Sequence, residues 1–334
     1  MAVQIQGGWC GGGGGVEGRR GGECSSARLA AEVYVRPSPP TAPEFTADET
    51  RYLHPSGVVS YSILRPPSQN AIHSCSANAA LPVMISLHGA GVEADSEVFR
   101  GLFDEVPDLC GWLLMPSGVT SWSGDDWHRW GFADVLATVS ALPEYISTNH
   151  PSLPGADTDS WVVTGQSNGG QGTWYALTHH PDRIMGAASV CGWLSVQAYV
   201  PYSLWNEADP RKTAVVQGTL SSYRHELLAA NVKGKKVFLQ HGDMDDNVPV
   251  WHSRRMRQLI EEAGGETMYQ EVPGMGHWWN GMVTWGRLPE WYQSALSVEK
   301  VPSLGDEWEF VVANPGDTGS RGGIKVEQLE EPDR

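Results

Sequence analysis

Basic residues are scarce in this 334-residue chain: Lys and Arg number 23 against 39 Asp and Glu, for a net charge of −16, and they form no run. A surface short of cations releases few counterions from nucleic acid or anionic lipid, which argues against both as partners. Long apolar runs are also missing. None approaches the roughly 20 residues that span a bilayer, and the N-terminus shows no charged start followed by an apolar core. Paired cysteines are absent too. Cys10, Cys24, Cys75, Cys110 and Cys191 are scattered and contain no CxxC, which speaks against a disulfide scaffold and a zinc knuckle. The expectation is a soluble, cytoplasmic protein whose thiols are reduced, with no metal and no cofactor.

Tryptophan is the residue in excess, at 15, alongside 39 Gly and 22 Pro. That combination suggests turn-rich structure with large aromatic surfaces. Residues 1–50 hold the glycine run Gly11–Gly15 and the prolines Pro37, Pro39, Pro40 and Pro43, so this segment is expected to be disordered. From 51 to 300 short apolar or β-branched runs alternate with amphipathic stretches, the pattern of an α/β domain with a mostly parallel sheet. Strands are expected over 58–64, 82–87, 112–115, 161–164, 185–190, 236–240 and 267–272. Helices are expected over 96–105, 132–148, 168–180, 221–230, 251–263 and 288–296. Residues 192–220 break the alternation with Trp193, Tyr199, Tyr202 and Trp205 and read as a short aromatic-rich, lid-like insertion. Residues 301–334 form an acidic tail with one strand-like run, Trp308–Ala313.

The richest stretch is Trp161–Gly170, where an apolar strand runs into Gly165-Gln166-Ser167-Asn168-Gly169 and then a helix that stops at Pro181. A serine on such a strand-to-helix turn projects its hydroxyl above the sheet, and the flanking glycines avoid collisions with neighbouring elements. Acyl transfer also needs backbone N–H groups aimed at the developing oxyanion. Asn168, after the serine, supplies one; Ala90, in the strand-ending His88-Gly89-Ala90-Gly91, supplies the other. His88 itself reads as a loop organiser.

A third strand ends in His241-Gly242-Asp243-Met244-Asp245-Asp246-Asn247, which offers an acid to orient a histidine. Asp245 is the choice; Asp243 and Asp246 are the alternatives. A fourth ends in Gly274-Met275-Gly276-His277, and glycines beside a histidine let it approach a nucleophile closely. Among the 11 histidines, His128 is the competitor for the base, and most others are expected at the surface or in caps. The chain order is then Ser167, Asp245, His277, the order of one fold among several unrelated triad architectures.

Over residues 55–298 these motifs resemble an α/β-hydrolase. His-Gly-Asp-Met-Asp-Asp-Asn-Val-Pro and Gly-Met-Gly-His resemble, more narrowly, the catalytic domain of the prolyl-oligopeptidase-like serine peptidases and their esterase relatives. The resemblance implies a central, mostly parallel sheet flanked by helices, with Ser167 as nucleophile, Asp245 as acid and His277 as base. Peptidases of the group often carry a β-propeller or other partner domain, and nothing before residue 51 is suited to form one. Many also use a tyrosine as an oxyanion donor, whereas His88-Gly89-Ala90-Gly91 looks more like the esterases that use backbone N–H groups.

Trp122, Trp127 and Trp130 follow the carboxyl end of a strand, and Trp278 adjoins the expected base; all four are candidates for an aromatic substrate wall. The leading reading is a cofactor-free serine hydrolase acting on a small ester or short peptide. Alternatives are acyl transfer to another nucleophile, or a non-catalytic binding protein of the same fold.

Overall fold

The computed structural model describes residues 47–75, 80–200, 209–297, 304 and 307–330; most of the glycine- and proline-rich segment 1–50 therefore lies outside the described residues, as do Tyr202 and Trp205. Eight strands form one sheet: β1 (Asp48–Leu53), β2 (Val59–Arg65), β3 (Ala80–Leu87), β4 (Trp112–Pro116), β5 (Gly155–Gln166), β6 (Ile184–Val190), β7 (Lys236–Gly242) and β8 (Thr267–Val272). Their spatial order is β1-β2-β4-β3-β5-β6-β7-β8. β1 and β2 join antiparallel, and the six from β4 to β8 run parallel. Winding starts at β3, goes to β4 on one side, and then proceeds through β5 on the other. Such a reversal opens a crevice at the carboxyl ends of the strands.

Alternation along the strands builds two cores. Val83, Ile85 and Leu87 of β3 join Trp127, Trp174 and Leu239 on one face, under the helices Arg129–Asn149, Asn168–His179 and Trp251–Glu262. Met84 joins Phe99, Phe103 and Tyr292 on the other, under Glu97–Phe103 and the helix Leu288–Leu296. Period-2 side chains buried on both faces produce the apolar runs from which seven of the eight strands were legible; β1 was not expected, and its residues 48–50 lie in the segment expected to be disordered.

Three expectations are corrected. Cys75 and Cys110 form a disulfide, because the turn after the helix Gln69–Ser74 meets the loop before β4; Cys191 remains a free, buried thiol. The helix expected over 221–230 is instead a series of 3₁₀ turns, Ser221–Tyr223, His225–Leu227 and Ala229–Val232. Trp308–Ala313 is not a strand. Residues 307–330 are laid along the domain, with a small hairpin, β9 (Ser320–Arg321) and β10 (Ile324–Lys325). Asn231 pairs with both backbone groups of Val311, and the buried Arg321 guanidinium donates to the carbonyls of Ala230 and Lys233. Among the described residues no helix is long and apolar enough to cross a membrane.

Candidate active site

Ser167 sits between β5 and the helix Asn168–His179 with φ 57° and ψ −117°, a left-handed conformation that a non-glycine residue adopts only under compulsion. Compulsion comes from packing on both sides. A Cβ at Gly169 would land on the Leu87 carbonyl, and one at Gly165 would land on the Gly169 backbone, so the turn closes only with glycine at both places. The Ser167 N–H donates to the Val190 carbonyl at 2.9 Å, which ties the turn to β6.

Three strand ends bring the expected residues together. His277 Nε2 is 2.8 Å from Ser167 Oγ, and His277 Nδ1 is 2.7 Å from Asp245 Oδ2. An ionised carboxylate only accepts, so Nδ1 carries the ring proton and Nε2 is left free to accept from the serine hydroxyl. Burial by itself would raise the Asp245 carboxyl, but hydrogen bonds from His241, His277 and the Val248 N–H outweigh it and hold the acid well below the usual carboxylate range. Its other oxygen accepts from the N–H groups of Asn247 at 3.0 Å and Val248 at 2.8 Å.

The alternatives are engaged elsewhere. Asp243 accepts from the Gly274 N–H at 2.7 Å and shapes the turn that carries His277; Asp246 is exposed. His128 is buried against Gln171 and stacked on Tyr223, away from the serine's partners. His88 is buried with its two nitrogens on the carbonyls of Gly89 and Ser117, as a loop organiser would be.

A residue not singled out from sequence, His241, completes the acid's surroundings. Its Nε2 faces two acceptors, the Val248 carbonyl at 2.8 Å and Asp245 Oδ2 at 3.2 Å, so that nitrogen bears the proton. Its Nδ1 then accepts from the Ser253 hydroxyl at 2.7 Å. The signal in the sequence was its place four residues before Asp245. Cys191, His241 and Asp245 offer ligand atoms within 4.8 Å of one another. Both His241 nitrogens are already committed, however, and burial pushes the Cys191 thiol up and keeps it protonated, so the group serves the acid better than a metal ion.

The expected oxyanion donors lie on the two segments flanking Ser167. Asn168 opens its helix, where backbone N–H groups lack intrahelical partners, and its side chain donates to Ser123 Oγ at 2.7 Å. A Cβ built on Gly89 would stand 3.6 Å from Ser167 Cβ, so the 88–91 loop lies against Ser167, with Ala90 exposed on that loop.

The four tryptophans separate. Trp127 is 0% exposed and donates its indole N–H to the His88 carbonyl at 3.0 Å. Buried in this way it packs against the 88–91 loop and is not on a surface that a substrate reaches, which corrects its expected place on the wall. Trp130 is partly exposed, packed edge-on against His54. Trp122 is 63% exposed, close to Gly91. Trp278 lines a cavity of about 420 Å³ with Gly89 and Gln166. Of the lid-like stretch, Trp193 is buried and stacked on Tyr199, whose hydroxyl donates to Asn247 at 2.6 Å; the helix Pro210–Thr219 buries none of its residues.

A profile of the prolyl oligopeptidase family matches residues 120–296, just over half of the chain. An uncharacterised secreted protein of Arthroderma benhamiae is 43% identical over 287 residues, 86% of this chain and 31% of that protein. The chain thus spans about a third of that relative's length. A Salmonella typhimurium protein described as a candidate carboxymethylenebutenolidase is 23% identical over 270 residues, 71% of this chain and 88% of that protein. Among solved structures, a puromycin-hydrolysing peptidase of Mycobacterium tuberculosis aligns with TM-score 0.56 at 16% identity, over 77% of this chain and 40% of that one. An acylaminoacyl peptidase of Pyrococcus horikoshii aligns with TM-score 0.53 at 17% identity, over 75% of this chain and 40% of that one. At such identities the structures establish a shared α/β-hydrolase fold.

Proposed function

Because the chain belongs to the prolyl oligopeptidase family, we propose that it is a serine hydrolase that cleaves a carboxylic ester or amide of a small substrate through an acyl-enzyme on Ser167. One observation carries the reading: the continuous hydrogen-bonded line from Asp245 through His277 to Ser167, at 2.7 and 2.8 Å.

The chemistry follows from the proton positions. His277 Nε2 takes the hydroxyl proton as Ser167 Oγ attacks the carbonyl carbon, and Asp245 stabilises the resulting imidazolium without taking its proton. The negative carbonyl oxygen meets the N–H groups of Asn168 and Ala90, each such donor contributing about 3 kcal/mol in the transition state. The imidazolium then protonates the leaving oxygen or nitrogen, and water, deprotonated by the same nitrogen, releases the acid.

The compartment expected from composition is revised. The Cys75–Cys110 disulfide supports an oxidising compartment over the cytoplasm, and the description of the Arthroderma relative as secreted agrees.

The test is a rapid-mixing experiment with 4-nitrophenyl esters. A burst of one nitrophenolate per protein, with one acyl group recovered by mass spectrometry on the peptide containing Ser167, is expected. Turnover with no acyl adduct on that peptide at any quench time would contradict the covalent route.

A further inference from the structure

We propose that the cavity of about 420 Å³ behind the 88–91 loop receives a neutral, elongated aryl-alkyl arm of the substrate and that Ser86 Oγ hydrogen-bonds a polar tip at its far end. The proposal rests on the serine-hydrolase reading above and adds to it a substrate class.

Position and volume come first. Gly89 and Gln166 line the cavity; Gln166 immediately precedes the nucleophile, and Gly89 faces Ser167 Cβ. A group bound here is therefore continuous with one attached at Ser167. Apolar side chains dominate the rest of the wall, among them Leu87, Phe99, Leu102, Val283 and Trp278. A pocket walled mainly by such residues gains by covering its apolar surface with an apolar group, and even a void of about 150 Å³ suffices for benzene. This cavity has room for a ring and several further atoms. Glu93 stands exposed on its lining, which disfavours an anionic arm.

An orphaned hydroxyl marks the polar tip. Ser86 lies in β3, which alternates Val83, Ile85 and Leu87 into one core and Met84 into the other. Ser86 therefore shares the Met84 face and points toward the Phe99 side of the sheet. Its Oγ is buried and has no hydrogen-bond partner among the described residues, although it lines the cavity. Buried hydroxyls are nearly always paired. A hydroxyl or amide on the arm provides the missing partner.

Two ester series test this, one varying the acyl group with 4-nitrophenol fixed, the other varying the alcohol with acetate fixed. Each runs from a methyl-sized arm to 3-phenylpropyl and 3-(4-hydroxyphenyl)propyl arms. In at least one series kcat/KM is expected to rise tenfold or more from the smallest arm to the phenylpropyl arm, and about fivefold further with the hydroxyl. Leu102→Trp should fill the cavity and collapse the first ratio. Val98→Trp should do the same from the rim, and Val98 is 63% exposed, so this variant leaves the core intact. Ser86→Ala should erase the second ratio. Turnover without arm selectivity, or selectivity that survives both tryptophan variants, overturns the proposal alone. Absence of turnover on every ester overturns the hydrolase reading and the proposal with it.

Discussion

His241 Nε2 lies 3.2 Å from Asp245 Oδ2, the same carboxylate oxygen that accepts a hydrogen bond from His277 Nδ1 at 2.7 Å. One acid thus accepts from two imidazoles, and only one of them reaches the serine. His241 is locked in turn by Ser253 and the Val248 carbonyl. In the proposed mechanism it fixes which lone pairs of Asp245 remain for His277 and so acts as a positioning residue.

A ranking of losses follows. Asp245→Asn should lower kcat by about 10⁴, since the amide can impose the wrong His277 tautomer. His241→Gln should lower kcat by about tenfold with KM nearly unchanged, as it removes one donor from the acid without touching substrate. Asp243→Asn and Asp246→Asn should stay near wild type, because an amide oxygen still accepts from Gly274 and Asp246 is exposed. Steady-state kinetics on one ester checks the order; equal losses at all three aspartates would mean that loop integrity alone is being read.

Trp127 and Trp122 should part company in a stability measurement. Trp127→Leu removes a buried indole and the hydrogen bond to the His88 carbonyl, and should cost about 3 kcal/mol in urea unfolding. Trp122→Ala, at an exposed site, should stay within about 0.5 kcal/mol of wild type. Equal effects would contradict the burial that separates them.

Stability should fall in mild acid. Burial pushes the imidazoles of both His128 and His179 down to about 3 from the ordinary 6.5. His179 is stacked on Tyr175, and burial outweighs its hydrogen bonds with Tyr175 and Ser222. Below pH 6.5 the unfolded chain binds protons that the folded chain refuses, so the stability present above 6.5 is lost as pH falls toward 3. Each histidine contributes a slope of up to about 1.4 kcal/mol per pH unit within that window. Urea midpoints at pH 8, 7, 6 and 5 should be level at first and then drop; a level profile down to pH 4.5 would contradict it.

Much of the site was legible because its parts are local. Ser167, Asp245 and His277 each lie within five residues of the end of a strand, with a glycine one to three residues away, and such a pattern is written in neighbouring residues. What was not legible depends on distant partners. Nothing around Trp127 marks it as core and Trp122 as surface; the His88 carbonyl and the helix Asn168–His179 decide that. Cys75 and Cys110 stand 35 residues apart, and only the fold shows that they meet. Arg321 looks like a surface charge in an acidic tail, but Ala230 and Lys233 turn carbonyls toward it from 3₁₀ turns that the helical pattern over 221–230 did not disclose. Ser86 reads as one polar residue in a strand, and its empty hydrogen-bonding capacity is visible only against the cavity.

The most direct measurement is the turnover of Ser167→Ala beside wild type on a 4-nitrophenyl ester, with folding of both checked by near-ultraviolet circular dichroism and with a fluorophosphonate probe added to each. Loss of only the attacking oxygen, with Gly165 and Gly169 still in place, should leave the spectrum intact. It should also abolish labelling and lower kcat by about 10⁵ or more. A folded Ser167→Ala protein that hydrolyses the ester at near wild-type rate would contradict the account.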